Sequence, residues 1–114
     1  MADHTVDIEV DNNGNPGIPN SDDYSLHVNR GHRVKWRCKY PFTIHFLGIA
    51  PFAFLQIRVP GQGKKEDPPY ETDWNVILDT AELRSYPYHA LPAWRNLDNN
   101  EEVRVLNQPD IIVD

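Results

Sequence analysis

A regular alternation of apolar and polar residues in the middle of the chain constrains the fold more than any other feature of the sequence. Within residues 31–54, two short runs place an apolar residue at every second position, first at Val34, Trp36 and Cys38 and then at Phe42, Ile44 and Phe46. Side chains of a β-strand point alternately to its two faces, so each run predicts a strand with one buried face. We expect Trp36, Phe42 and Phe46 to be the bulkiest residues of the core.

Shorter runs with the same two-residue period occur on both sides of this pair. They predict strands at residues 6–10, 24–28, 55–59, 74–79 and 86–90, and one interrupted closing strand at 103–105 and 111–113. Residues 80–85 are expected to form a single helical turn behind Thr80. Pro87 and Pro92 are expected to place their strand at a sheet edge or to bend it. About eight short strands without a helical repeat indicate an all-β fold, a two-sheet sandwich or a barrel.

The size and charge of the chain narrow the classes of partner. Its 114 residues fit one domain, residues 1–114, with a single core. A net charge of −6 and scattered basic residues argue against a nucleic-acid partner or an anionic membrane surface. No run approaches the roughly 18 apolar residues of a membrane span, and the first residues lack a signal-peptide pattern. We expect a soluble, cytoplasmic protein, or a periplasmic or secreted one if a signal peptide was removed.

Two long irregular segments, 60–73 and 91–101, are the loops in which function is expected, because structureless connections of this length are commonly functional. Trp and Tyr dominate binding hot spots, so the aromatic residues in or beside these loops are the candidate binding residues. They are Trp94, Tyr70, Trp74 and Tyr88. Trp94 is the first choice for an exposed anchor, since strand alternation does not assign it to the core, and Tyr70 is the second. The expected partner is another protein or a second copy of the chain.

The order of the strand segments resembles the cupredoxin fold. The segments are an opening VDIEV, a second strand leading into NRGHRVKW, a short loop into PFTIHF, a long connection, then YPYHA and a closing PDIIVD. The resemblance covers nearly the whole chain and is more particularly to small bacterial cupredoxin-like proteins. It implies a Greek-key β-sandwich.

The residues that hold copper in cupredoxins are missing from the corresponding positions. Copper-carrying members take one His from the loop opening the fourth strand and a Cys, a His and usually a Met from the loop before the last strand. The first position falls at Phe42, the Cys position falls near Ala90, and the one methionine is Met1. The resemblance therefore implies a protein without copper, and no metal ligand or cofactor is predicted. Cys38 belongs to the preceding strand and is expected to be a small buried hydrophobic residue.

His45 and His89 are the histidines expected to approach each other in such a sandwich. Neutral imidazole binds Zn²⁺ or Cu²⁺, but two ligands make a weak site, so surface or hydrogen-bonded histidines are the simpler interpretation. A metal-binding or electron-transfer protein with a site at these two residues, with or without Cys38, is the alternative function.

No arrangement of residues typical of catalysis is recognisable. The serines and Cys38 lack a sequence context that would aim a general base at a nucleophile. The sequence therefore predicts no catalytic residues and favours a non-catalytic, copper-free cupredoxin-like module that binds another protein, or itself, through its long loops or an edge strand.

Overall fold

Two mixed β-sheets packed together make up most of the described structure, a computed structural model that covers residues 2–12, 14–60, 67–93 and 108–114. These residues hold ten strands and one helix, in the order β1 (Asp3–Val10), β2 (Pro16–Gly17), α1 (Ser21–Tyr24), β3 (Ser25–Val28), β4 (Arg33–Cys38), β5 (Phe42–Phe46), β6 (Gln56–Val59), β7 (Tyr70–Glu71), β8 (Asn75–Val76), β9 (Ser85–Pro92) and β10 (Asp110–Val113). The prediction of an all-β chain with two sheets is confirmed at this level.

The sheets are built from strands that lie far apart in the sequence. Within the described ranges, the first sheet has the order β2-β1-β4-β7, with β8 also pairing with β4, and the second has the order β3-β10-β9-β5-β6. The pairs β1–β4 and β3–β10 are parallel, and the other pairs are antiparallel. Because β4 and β5 lie in different sheets, the alternating stretch at the centre of the sequence crosses from one sheet to the other at Tyr40-Pro41.

The core lies between the sheets and contains the residues that the alternation predicted. Trp36, Phe42 and Phe46 are at most 1% exposed, and Cys38 is 2% exposed. Gly31, in the turn before β4, has a φ of +85°, a left-handed conformation in which a β-carbon would be strained. The strands predicted at the centre of the chain, the buried aromatic core and the buried cysteine are therefore confirmed.

The predicted helical turn at 80–85 is wrong. This segment contains no helix, and two of its carbonyl groups accept hydrogen bonds from side chains, Ala81 from the Arg30 Nε at 2.8 Å and Glu82 from the Tyr86 hydroxyl at 2.7 Å. The helical turn lies instead at α1, where the Asn20 side chain accepts from the Asp22 N–H at 2.9 Å, as expected of an N-cap. No helix among the described residues has the length and apolar character needed to cross a membrane.

Each of the two predicted loops, 60–73 and 91–101, contains residues that belong to a strand. Tyr70–Glu71 forms β7 against β4, and β9 continues through Leu91 to Pro92. Strand β9 lies between β5 and β10, so of the two alternatives predicted from Pro87 and Pro92, an edge position or a bend, the edge position is wrong. The predicted strand at 103–105 lies outside the described residues, as do residues 61–66 of the first predicted loop and 94–101 of the second.

Candidate functional site

The segment around β8 presents a row of large apolar side chains to solvent. Trp74, Val76 and Leu78 are 37%, 51% and 36% exposed, whereas Ile77 between them is fully buried. Val76 is paired in register with Arg33, so its side chain lies on the outer face of the first sheet. The sequence predicted an extended segment here but not which face would be buried.

Hydrogen bonds of Asn75 and Ile77 orient this segment so that the alternate residues Trp74, Val76 and Leu78 face outward. The Asn75 side chain donates to the Val34 carbonyl at 3.2 Å. Ile77 donates its N–H to the His32 carbonyl at 2.8 Å and accepts from the Gly31 N–H at 2.9 Å. These bonds fix residues 75 and 77 against β4, and the two-residue period then directs the three alternate side chains to solvent.

Two cations hold the ring of Trp74 in place. The Arg33 guanidinium carbon lies 5.1 Å and the Lys35 Nζ 4.7 Å from the ring centroid. Arg33 is in turn bonded to both carboxylate oxygens of Asp3, at 2.8 and 2.6 Å, and Lys35 lies 3.7 Å from a Glu71 oxygen. Each exposed cation–π contact contributes ~0.5–1 kcal/mol. The indole is therefore a partly exposed ring whose orientation is fixed before any partner binds.

A second apolar segment joins this row. Residues 47–55 contain no polar side chain, and Ile49 and Leu55 are 39% and 47% exposed. The Leu78 N–H donates to the Pro51 carbonyl at 2.9 Å, which connects the two segments. Phe52 anchors the loop, since its ring lies 5.7 Å from that of Trp36 in the core. We call the exposed residues Trp74, Val76 and Leu78 the apolar edge.

The four predicted binding residues do not lie together. Trp74 is on the apolar edge. Tyr70 is half-buried and is paired with Cys38, so it faces inward and packs against the core. Tyr88 is fully buried and so lies where a partner cannot reach it; we remove it from the candidate surface. Trp94, the first choice from the sequence, lies outside the described residues.

Tyr88 lies in the core with its hydroxyl hydrogen-bonded to a second buried aromatic residue. The Trp36 Nε1–H donates to the Tyr88 hydroxyl at 3.2 Å, and the two rings meet edge to face at 5.6 Å between centroids. Burial raises the pKa of Tyr88, with the Trp36 hydrogen bond as a smaller, opposing cause. Both aromatic residues lie on inward positions of their strands, as alternation along β4 and β9 requires.

His45 and His89 are direct cross-strand neighbours, which confirms the prediction that these two histidines approach each other. They are paired in register between β5 and β9. The Nδ1 of His45 lies 3.2 Å from the Gln56 Oε1, whereas the Nδ1 of His89 is buried without a hydrogen-bond partner. Cys38 cannot join them, because it lies in the other sheet and points into the core, where burial raises its pKa. No group of three or more His, Cys, Asp or Glu residues within the described ranges is arranged to hold a metal ion.

Comparison of the chain with protein-family models, with curated proteins and with solved structures finds no match.

Proposed function

We propose that this chain is a non-catalytic cupredoxin-like module, free of copper at the position where the family binds it, that associates with a second copy of itself through the apolar edge. The exposed row of Trp74, Val76 and Leu78 on an edge segment is the observation that carries the proposal. Edge strands with apolar side chains are sites of strand pairing, and natural proteins usually protect them with charged residues or proline. Residues 74–78, the sequence WNVIL, contain neither.

The backbone of this segment favours pairing of two edges. Ile77 directs its N–H and carbonyl toward β4, so strand alternation directs those of Val76 away from β4. Two copies related by a two-fold axis would bring the same row together from both sides, because a two-fold interface uses one self-complementary patch. The fixed Trp74 ring would lose little conformational entropy on association.

The charge of the chain predicts that this association is weak. Each copy carries a net charge of −6, so two copies repel each other over a distance of about one Debye length, ~8–10 Å at physiological ionic strength. An apolar contact opposed by repulsion strengthens when salt is added. This salt dependence distinguishes it from an association built on ion pairs.

The cupredoxin-like part of the proposal is supported by the arrangement of the strands and by the residues at the copper positions. Two packed sheets that each combine one parallel pair with antiparallel pairs are compatible with a Greek-key sandwich. Phe42 and Ala90, at the first-His and Cys positions, are buried apolar residues, and residues 91–109 include no His, Cys or Met. These side chains do not fit the copper site of the family.

Sedimentation velocity of the purified chain between about 5 µM and about 500 µM tests the association, since weak dimers dissociate in this range. We expect a concentration-dependent dimer that is strengthened by salt and lost in Val76→Lys. Leu83→Lys is the matched control, because Leu83 is 60% exposed and lies outside the apolar edge. A monomer at every concentration, or equal loss of the dimer in both variants, would refute the proposal.

A further inference from the structure

The outer face of the second sheet carries three neighbouring polar side chains, His45, Gln56 and His89, none of which belongs to the apolar edge. His45 on β5 is paired in register with Gln56 on β6 and with His89 on β9. Residues directly opposite each other on antiparallel strands share a face, and their β-carbons lie about 4.5–5.5 Å apart. The two histidines therefore lie on the same face of neighbouring strands.

The contact with Gln56 fixes which nitrogen of His45 is available. The Gln56 Oε1 can only accept a hydrogen bond, so the His45 Nδ1 at 3.2 Å donates its proton. The lone pair of the neutral ring is then on Nε2, and no hydrogen bond within the described residues uses that atom. Histidines that bind metals are typically oriented in this way, by donation from the other ring nitrogen to a protein oxygen.

His89 has a ring nitrogen whose bonding is incomplete. The residue is 4% exposed, and its Nδ1 is the one buried side-chain nitrogen or oxygen atom without a hydrogen-bond partner among the described residues. Buried polar atoms are nearly always bonded, so this nitrogen lacks a partner that a metal ion or a water molecule could supply.

We propose that His45 and His89 form a two-imidazole site for a Zn²⁺ or Cu²⁺ ion on the outer face of the second sheet, with Gln56 as the positioning residue and water completing the coordination. Imidazole nitrogen suits these cations, whereas Mg²⁺ and Ca²⁺ take oxygen ligands. The site is separate from the copper position implied by the cupredoxin resemblance, because Phe42 points into the core, on the opposite face of β5 from His45.

A second pair of histidines is the internal control. The Nε2 of His4 lies 3.2 Å from the Nδ1 of His32, which also lies 3.3 Å from the Asn29 N–H. The Nδ1 lone pair of His32 is therefore already engaged by hydrogen bonds. A metal would have to break these contacts, so this pair is expected to contribute nothing to binding.

Calorimetric titration of the full chain, purified without a histidine tag, with ZnCl₂ and separately with CuCl₂ tests the site. We expect one equivalent of metal to bind, with Cu²⁺ tighter than Zn²⁺ as the usual order of divalent affinities requires. His45→Ala and His89→Gln are expected to weaken binding by at least about 10-fold, and Gln56→Leu by roughly 10-fold as for other positioning partners. The double variant His4→Ala, His32→Ala is expected to bind as the unmodified chain does.

Nuclear magnetic resonance of the imidazole nitrogens in the unmodified chain keeps the test independent of any folding defect in a variant. Zn²⁺ is expected to shift ring nitrogens of His45 and His89 and to leave those of His4, His27 and His32 unchanged. Failure to bind either metal, binding that survives loss of His45, or shifts confined to His4 and His32 would each overturn the proposal. None of these results bears on dimerisation through the apolar edge.

Discussion

At the scale of single residues, Trp36 organises the core through both shape and hydrogen bonding. Its ring meets those of Phe46, Phe52 and Tyr88 edge to face, with centroids 6.3, 5.7 and 5.6 Å apart. Its Nε1–H has the Tyr88 hydroxyl as its partner inside an otherwise apolar core. A buried tryptophan with a satisfied N–H is stabilising, and the same residue without a partner leaves a buried donor unpaired.

Replacement of Tyr88 by Phe is therefore expected to lower the free energy of unfolding by ~1–3 kcal/mol, although it removes one atom and leaves no large cavity. Urea denaturation measures this change. The double variant Trp36→Phe, Tyr88→Phe has no unpaired indole N–H. Its loss of unfolding free energy should therefore be smaller than the sum of the losses in the two single variants. Additive losses would contradict a role for the hydrogen bond.

Removal of the whole Trp36 ring tests its packing instead. Trp36→Ala is expected to lower the free energy of unfolding by roughly 3–5 kcal/mol, because the ring is fully buried. A loss below about 1 kcal/mol in the same denaturation experiment would contradict the assignment of β4 as a central strand.

At the scale of elements, the break between β7 and β8 is closed by side chains. The Thr72 hydroxyl accepts from the Trp36 N–H at 3.1 Å and donates to the Asp73 carbonyl at 2.8 Å. The Thr72 N–H donates to the Trp36 carbonyl at 3.0 Å, and the Asn75 side chain bonds to the Asp73 carbonyl at 2.9 Å. These bonds replace strand pairing where the chain leaves β7 and set the direction in which β8 exposes Trp74.

Replacement of Thr72 by Val preserves the shape of the side chain but removes the hydroxyl that accepts a hydrogen bond from the backbone N–H of Trp36. We expect the free energy of unfolding to fall by ~1–3 kcal/mol, because Thr72 is buried. Thr72→Ser is the control, since it keeps the hydroxyl. An equal loss in both variants would assign the effect to packing of the methyl group rather than to the hydrogen bonds.

At the scale of the whole molecule, two histidines couple stability to pH. Burial lowers the pKa of His89, and His45 lowers it further. Burial, and then His32, lower the pKa of His4, while Asp23 and Asp3 oppose the shift. In both cases the folded chain binds the proton less readily than the unfolded chain does, so protonation favours unfolding.

The free energy of unfolding is therefore expected to fall as the pH decreases below about 6.5, the ordinary pKa of histidine, and to level off once both residues are protonated in the folded state. Burial raises the pKa of Asp23, which acts in the opposite direction as carboxyl groups begin to protonate. Thermal unfolding between about pH 7.5 and about pH 5 measures the trend. The variant His4→Asn, His89→Gln should show a flatter profile; an unchanged profile would assign the dependence to other groups.

The sequence by itself determined the strands of the core and the residues that fill it. Strict alternation at β4 and β5 predicted both elements and the burial of Trp36, Cys38 and Phe46, because the two-residue period of a strand is a local property of the backbone. The same parity predicted that His45 points away from the core, as it does.

Only the tertiary structure decided which face of β8 is exposed and which aromatic residues reach the surface. The alternation of the segment WNVIL does not predict which face is buried; hydrogen bonds to His32, Gly31 and Val34, more than 40 positions earlier, decide it. Long-range pairing likewise buried Tyr88 and aligned His45 with His89. Strand partners and their register depend on contacts between distant segments, which a local pattern does not encode.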